Sequence, residues 1–175
     1  MAHFDHPREL TEPAQRGLDT LIRAGVICVN QNPLIRGIND DPDVLAELYR
    51  KLSFIGVPPY YLFQGRPTAG NEPFEVPIVE GYHIFEAAKR QLSGLAKRAR
   101  FAMSHETGKV EIVGVDERCI YLRYHRAKHP ADEGRFMVYH RDDQAYWLDQ
   151  LEPMEGLGAP RFASESLVEV GAGPE

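Results

Sequence analysis

The stretch from Val26 to Gln64 places the tightest limits on how this chain can fold. It begins with an apolar run, Val26–Val29, which predicts a short buried strand. A loop rich in turn residues and an amphipathic helical pattern follow, and a second apolar run, Tyr60–Phe63, predicts another strand. Two strands joined through a helix are typical of parallel pairing. The stretch therefore predicts an α/β fold with a parallel sheet.

Polar residues stand at the ends of both predicted strands, Asn30 and Gln31 after the first and Gln64 after the second. In parallel α/β folds, ligands bind at the carboxyl ends of the strands. Asn30 and Gln31 are therefore candidate ligand contacts, and the alternative is that their amides cap a loop. Residues 36–41, Arg-Gly-Ile-Asn-Asp-Asp, resemble an anion-binding nest, but their aspartates favour helix capping.

Three helices are predicted from apolar positions that recur with helical spacing. The first begins after the N-cap Thr11 and runs to about Ala24, and the second is capped by Asp41 or Asn39. The third spans about residues 79–92. Between the second strand and the third helix, a segment rich in Gly and Pro predicts an irregular loop.

The pattern changes after residue 98. Short segments of alternating polarity at 100–103, 109–113, 119–124 and 135–139 predict a small antiparallel meander. Residues 145–151 are expected to add a short strand or turn in which Trp147 anchors the packing.

Three regions are therefore expected along the chain. Residues 1–98 hold the βα units, residues 99–153 form a β-rich carboxyl-terminal subdomain, and residues 154–175 form a poorly ordered tail rich in Gly, Ala and Pro. A length of 175 residues is enough for a substantial core.

Composition narrows the functional classes. The net charge is −6, with acids and bases interspersed, which argues against a nucleic-acid or polybasic membrane surface. No run approaches the roughly 18 apolar residues of a membrane helix. The two cysteines, Cys28 and Cys119, lie far apart and are interpreted as reduced thiols, so a cytoplasmic location is expected.

Three segments in order, HFDHPRELT, AGVICVNQNPLIRGINDDPDV and VPPYYLFQ, resemble the second half of the lysine 2,3-aminomutase family of radical S-adenosylmethionine enzymes. The resemblance runs without gaps from His3 to Gln64 and continues more weakly to about Val113. It implies a partial (βα) TIM-like barrel with parallel strands, whose active site lies inside the carboxyl-end mouth. It also implies a small-molecule substrate, an amino acid whose amino group migrates.

The resemblance also implies roles for individual residues. His3 matches the family's H-F-x-H-P histidine and Gln31 its N-Q glutamine, and both would line the S-adenosylmethionine site. Lys109 is the nearest match to the lysine that holds pyridoxal phosphate. The alternative for Lys109 is an exposed lysine after a hairpin turn, since the preceding residues Glu-Thr-Gly explain its spacing.

Several positions depart from the family pattern. Residues 105–108, His-Glu-Thr-Gly, replace the family's glycine run, and Arg66 and Ser104 occupy the positions of two substrate-binding aspartates. An arginine repels the ammonium group of a lysine substrate, because an unpaired buried charge is costly. An acidic or phosphorylated group would suit Arg66 better.

The family's [4Fe–4S] cluster needs three closely spaced cysteine thiolates, and this sequence contains only two cysteines. We therefore interpret the chain as a carboxyl-terminal fragment of an isomerase that is not catalytic alone. The alternative is a stand-alone α/β module that binds a small ligand or a partner protein. No metal site is expected, because His125 and His129 lie around a strand end without a completing carboxylate. Exposed edges of a barrel fragment predict a homo-oligomer.

Overall fold

A computed structural model describes residues 1–156. These residues form three α-helices and six strands, connected by loops and short 3-10 turns. The helices are α1 (Glu12–Arg23), α2 (Pro42–Phe54) and α3 (Ile78–Arg90), and the strands are β1 (Asn30–Pro33), β2 (Pro59–Phe63), β3 (Arg100–His105), β4 (Gly108–Val115), β5 (Cys119–Ala127) and β6 (Phe136–His140). From residue 157 onward, the predicted tail lies outside the described residues.

All six strands belong to one sheet, in which they lie side by side in chain order. The first three strands are parallel, and β3 to β6 are antiparallel. This mixed architecture confirms the predicted α/β class, with parallel strands first and an antiparallel meander after them. The proposed boundary after residue 98 falls just before β3, and the pairing of β2 with β3 crosses it.

The prediction of a first strand at Val26–Val29 is wrong, because β1 begins only at Asn30. Ile27 is 90% exposed. The cause is the end of α1: Gly25 has φ +84° and donates to Ile22 O, and Val26 N–H donates to Leu21 O at 3.0 Å. These two hydrogen bonds form a Schellman cap. Because the cap includes Val26, the chain is still bonded to α1 at the position where the strand was predicted to begin.

The helix boundaries follow their capping residues. The Thr11 side chain accepts from Ala14 N–H before α1, and the Asp41 side chain accepts from Asp43 N–H at 2.8 Å before α2. The third helix begins at Ile78, within one residue of the prediction. Residues 148–150 form a 3-10 turn after Trp147, which is buried as expected.

One face of the sheet packs against α2 and α3 to form the core. Leu62 and Phe101 point toward the helices, and Phe101 packs against Phe85 of α3 with ring centroids 5.9 Å apart. The helix approaches closely at Gly81, where an added Cβ would lie 2.9 Å from the Phe101 ring. The helices of residues 1–156 therefore cover one face of the sheet and form no layer on its other face.

Short backbone bridges protect both outer strands. At β1, Gln31 N–H donates to Ala2 O at 3.1 Å, and at β6, Met154 N–H donates to Val138 O at 2.9 Å. Such bridges reduce the exposed backbone that promotes edge pairing. The expected homo-oligomer stays a prediction. None of the helices within residues 1–156 combines the length and apolarity needed to cross a bilayer.

Candidate active site on the open face of the sheet

The face of the sheet opposite the helices, here called the open face, carries polar and aromatic side chains. Apart from Tyr61, these residues are half-buried or exposed. Tyr61 is only 2% exposed, because its neighbours on the open face cover it. It does not belong to the apolar core cluster on the other face of the sheet. The open face comprises Gln31, Tyr61, Phe63, Arg100, Ser104, Lys109, Glu111 and His125.

Lys109 stands over two aromatic rings of β2. Its Nζ lies 4.6 Å from the Tyr61 ring centroid and 5.2 Å from that of Phe63. The two rings stack with centroids 4.9 Å apart and an interplanar angle of 28°. Cation–π attraction therefore holds the amine against the sheet, while no carboxylate within residues 1–156 pairs with it. The amine of Lys109 is left able to bind a ligand.

An imidazole and a guanidinium group lie beside this amine. Arg100 contacts His125 Nδ1 and lies 3.7 Å from the Glu111 carboxylate, and the His125 ring meets Tyr61 edge-on at 5.6 Å. Burial lowers the pKa of His125, and the positive charge of Arg100 lowers that pKa further. His125 is therefore a neutral imidazole at neutral pH that accepts from Arg100 through Nδ1 and keeps its hydrogen on Nε2.

The two predicted substrate residues meet at the carboxyl ends of β2 and β3. The Arg66 guanidinium donates to the backbone carbonyl of Ser104 at 2.9 Å. Ser104 lies directly opposite Lys109 in the ladder between β3 and β4. The structure therefore brings Arg66, Ser104 and Lys109 to one end of the sheet. An adjoining cleft of about 460 Å³ is lined by Arg66, Pro67, Ser104, His105, Glu106, Trp147, Asp149 and Gln150.

The predicted S-adenosylmethionine contacts lie at the β1 edge. Gln31 lies at the start of β1 and not after the carboxyl end of a strand as predicted, because β1 begins at Asn30. It pairs with Tyr61 across the sheet and is half-buried on the open face. His3 lies on the neighbouring segment, where its exposed ring stands 3.2 Å from Asp5. Asn30, in contrast, is fully buried, and its amide accepts from Phe4 N–H and donates to Phe4 O. Asn30 is therefore structural, and Gln31 remains the candidate ligand contact.

Other polar residues near the strand ends also hold the scaffold together. Gln64 is buried and donates to the carbonyls of Val76 and Tyr146, which fixes the loop after β2. The 36–41 loop satisfies its own groups, since Asn39 accepts from Ile35 N–H at 2.8 Å. These contacts support the capping interpretation over an anion nest.

Arg36 ties the same loop to α3 through a two-pronged ion pair with Glu80, one contact of which measures 2.7 Å. The hydrogen bonds from Arg36 lower the pKa of the Glu80 carboxyl. This pair fixes the start of α3 beside β1. The separation of 44 residues between the partners hides it from a local sequence pattern.

The structure also reveals a hydrogen-bond network that sequence reasoning missed. The imidazole of His105 lies between Asp149 and Thr107, and Thr107 in turn contacts Tyr124. Asp149 lies 44 residues from His105, so no local signal identifies the pair. The sequence marked this turn through Glu-Thr-Gly before Lys109 and through the departure of residues 105–108 from the family's glycine run, but it did not indicate the contacts of His105.

The residues of the open face fit one implied cofactor and not another. The Lys109 amine lies beside stacked rings and cationic donors and has no carboxylate partner in the described part of the chain. This arrangement suits pyridoxal phosphate, an anionic aromatic aldehyde. For an iron–sulfur cluster the fit fails: Cys28 and Cys119 are both buried, and within residues 1–156 no three His, Cys, Asp or Glu side chains are grouped to hold a metal. His125 and His129 are likewise not grouped for a metal.

No protein-family model matches the chain. A relative from Aquifex aeolicus (strain VF5), named "Putative L-lysine 2,3-aminomutase", is 50% identical over 149 residues, which are 85% of this chain and 40% of that protein. The L-lysine 2,3-aminomutase of Clostridium subterminale is 42% identical over 92 residues, which are 53% of this chain and 22% of that protein. The glutamate 2,3-aminomutase of Clostridioides difficile (strain 630) is 37% identical over 94 residues, 54% of this chain and 22% of that protein.

The chain spans less than half the length of each of these relatives. In the longer relatives, the similarity falls in the carboxyl-terminal part. The resemblance inferred from residues 3–113 is thereby confirmed. The chain is similar to proteins named lysine 2,3-aminomutase, and in the longer ones it matches the carboxyl-terminal part.

Proposed function

We propose that this chain forms the part of an aminomutase that holds pyridoxal phosphate and contacts the amino acid substrate. The observation that carries the proposal is the position of Lys109, whose amine stands over Tyr61 and Phe63 and pairs with no carboxylate among residues 1–156. When bound, pyridoxal phosphate supplies a ring that withdraws electrons from the substrate's amino group. An aminomutase-like role is consistent with the names of the relatives.

The proposal assigns separate tasks to this chain's own residues. Lys109 holds the cofactor, the stacked rings of Tyr61 and Phe63 orient it, and the Arg100 guanidinium attracts its negative charge. Gln31 and His3 would contact S-adenosylmethionine at the β1 edge. The parallel strands with helices on one face support a partial TIM-like barrel, whose interior would be the open face.

Radical chemistry lies beyond the residues of this chain. Its two buried cysteines do not form an iron–sulfur site, so we derive no step through a cluster. We propose that the chain is not catalytic alone and that the cluster ligands of the enzyme lie on other residues. The alternative of an independent binding module predicts no selective reaction of Lys109 with pyridoxal phosphate.

The first prediction concerns Lys109. Adding pyridoxal phosphate to the protein should produce a new absorbance band, and borohydride should fix one equivalent on the peptide that contains Lys109. The Lys109→Ala variant should lose both signals, because the amine is the only atom that can bond to the aldehyde carbon at this position. Absorbance spectroscopy and peptide mass mapping measure the two signals.

Lys89→Ala is the matched control, since Lys89 lies on α3, where it pairs with Glu86 at 2.9 Å. This variant should react like the wild type. Equal labelling of several lysines in the wild-type protein, with no preference for Lys109, would contradict the cofactor proposal and leave the binding-module alternative standing.

The second prediction concerns the charge of the substrate. The Arg66→Asp variant should bind L-glutamate about fivefold more weakly than the wild type and L-lysine more tightly, because the change reverses the charge beside Ser104. The modest factor reflects the exposed position of Arg66. Calorimetric titration of both amino acids, in the presence of pyridoxal phosphate, measures the change.

Arg66→Lys keeps the positive charge and serves as the control, so it should retain the preference for glutamate. If Arg66→Asp leaves the ratio of the two affinities unchanged, Arg66 does not face the substrate side chain. A wild-type protein that prefers L-lysine would contradict the expectation that Arg66 favours an acidic or phosphorylated group over an ammonium group.

A further inference from the structure

We propose that His105 is a positioning residue for Lys109 and acts through Thr107 in the turn between β3 and β4. The importance of His105 for catalysis rests on the proposed function of Lys109. Its effect on the position of the Lys109 side chain does not depend on that function. The imidazole contacts the turn between β3 and β4, which precedes Lys109. Its side chain is only 5% exposed.

Both ring nitrogens of His105 have partners. Nε2 lies 3.0 Å from a carboxylate oxygen of Asp149, and Nδ1 lies 2.8 Å from the Thr107 hydroxyl and 3.2 Å from the Thr107 backbone nitrogen. The Tyr124 hydroxyl, which is buried, donates to the Thr107 hydroxyl at 2.7 Å. The network therefore joins β3, the turn, β5 and the segment after Trp147.

These contacts determine the direction of each hydrogen bond. The Thr107 backbone N–H can only donate, so Nδ1 of His105 must accept. The hydrogen of the neutral ring then lies on Nε2 and points at Asp149. Because Tyr124 donates to the Thr107 hydroxyl, that hydroxyl is free to donate its own hydrogen to Nδ1. One arrangement satisfies every group in the network.

The network fixes the turn from two sides. His105 and Tyr124 hold the Thr107 side chain, while the Thr107 carbonyl accepts from Lys128 N–H at 2.7 Å. Lys109 follows Thr107 by only two residues, and the ladder pairs it with Ser104. A displacement of Thr107 would therefore move the start of β4 and carry Lys109 away from the rings of Tyr61 and Phe63.

His105 also connects Lys109 with the cleft beside Arg66. His105 and Asp149 line that cleft, and the Trp147 ring lies 6.0 Å from the imidazole. The Asp149 carboxylate is 71% exposed, so solvent can replace it as a partner of Nε2. Thr107 is therefore the partner through which His105 positions Lys109, and Asp149 is not required for that effect.

The test measures how fast acetic anhydride modifies Lys109, with Lys89 as the internal standard, by peptide mass mapping of the whole chain. In His105→Ala and Thr107→Val, Lys109 should react about threefold or more faster relative to Lys89, since its amine no longer rests on the aromatic rings. His105→Asn should restore the wild-type rate, because its Oδ1 replaces Nδ1 as an acceptor. His105→Gln should not restore it, because the longer side chain places its amide at the Nε2 position beside Asp149 and leaves no acceptor at the Nδ1 position.

Asp149→Ala is the matched control and should leave the Lys109 rate unchanged. If His105 only stabilises the fold, its loss should raise the acetylation rates of Lys89 and Lys109 together. The His105→Asn and His105→Gln variants should then show the same rates. Unchanged Lys109 reactivity in folded His105→Ala and Thr107→Val overturns the inference. If His105→Ala does not fold, as judged by circular dichroism, Tyr124→Phe and Thr107→Val decide the question.

Acetylation requires no cofactor, so the two proposals can fail separately. If pyridoxal phosphate is not trapped on Lys109 but the acetylation pattern is as predicted, the cofactor proposal is wrong and the positioning role of His105 is supported. If the wild type, His105→Ala and Thr107→Val all trap the cofactor equally well and are acetylated at the same rate, the cofactor proposal is supported and the positioning role of His105 is wrong.

Discussion

Replacing Gly108 with alanine is expected to destabilise the protein by about 3 kcal/mol or more, near the upper end of single substitutions. Gly108 has φ +142°, a conformation that L side chains rarely adopt. An added Cβ would also lie 2.2 Å from the carbonyl oxygen of Arg126 and 2.9 Å from Ala127 Cα. Both are backbone atoms of β5, so neither can move aside without breaking the ladder beside Lys109.

Urea denaturation followed by circular dichroism measures this loss. Gly25→Ala is the matched control, because Gly25 also has a positive φ, +84°, yet an added Cβ would meet nothing within 4 Å. We expect about 1 kcal/mol for Gly25→Ala, from backbone strain alone. Equal losses for the two variants would show that β4 and β5 can separate at Gly108 at little cost.

Alkaline pH is expected to unfold the protein cooperatively between about pH 10 and 12. Burial is the largest cause that raises the pKa of the five buried tyrosines, to about 12 for Tyr139 and Tyr146. Below pH 10 these hydroxyls are protonated in both states, so stability is intact. Above pH 10 the unfolded chain releases the protons and the folded chain retains them, so stability falls. The five are Tyr49, Tyr61, Tyr124, Tyr139 and Tyr146.

The size of this effect follows from the linkage between proton release and unfolding. Each such tyrosine lowers the free energy of unfolding by about 1.4 kcal/mol per pH unit above 10. Several together approach the whole stability of a typical domain, about 5–15 kcal/mol. Tyrosinate absorbance and circular dichroism should therefore change in one step. Tyr49→Phe removes one fully buried hydroxyl and should reduce the slope by about 1.4 kcal/mol per pH unit.

A gradual rise of tyrosinate absorbance near pH 10, with circular dichroism unchanged, would contradict the prediction. It would show that these side chains reach solvent in the folded state. Tyr49 is the most informative site, because it is fully buried and its hydroxyl donates to the buried amide oxygen of Asn32 at 3.3 Å.

The sequence predicted the local elements well where short-range physics decides them. The caps Thr11 and Asp41, together with helical periodicity, placed α1 and α2. Alternation of polarity placed the meander. The first strand was misplaced because the apolar run Val26–Val29 was taken for a strand. The Schellman cap at the end of α1 depends on hydrogen bonds back into the helix, which the apolar run does not reveal.

The sequence by itself indicated the resemblance to lysine 2,3-aminomutases and the candidate residues, since the matching segments and motifs occupy consecutive positions. Only the tertiary structure decided which candidates meet. Arg66 and Ser104 lie 38 residues apart, and His105 and Asp149 lie 44 apart, so their contacts arise from strand register and chain closure. Local propensity carries no information about such pairs, because they form when the whole sheet aligns the ends of β2, β3 and β4.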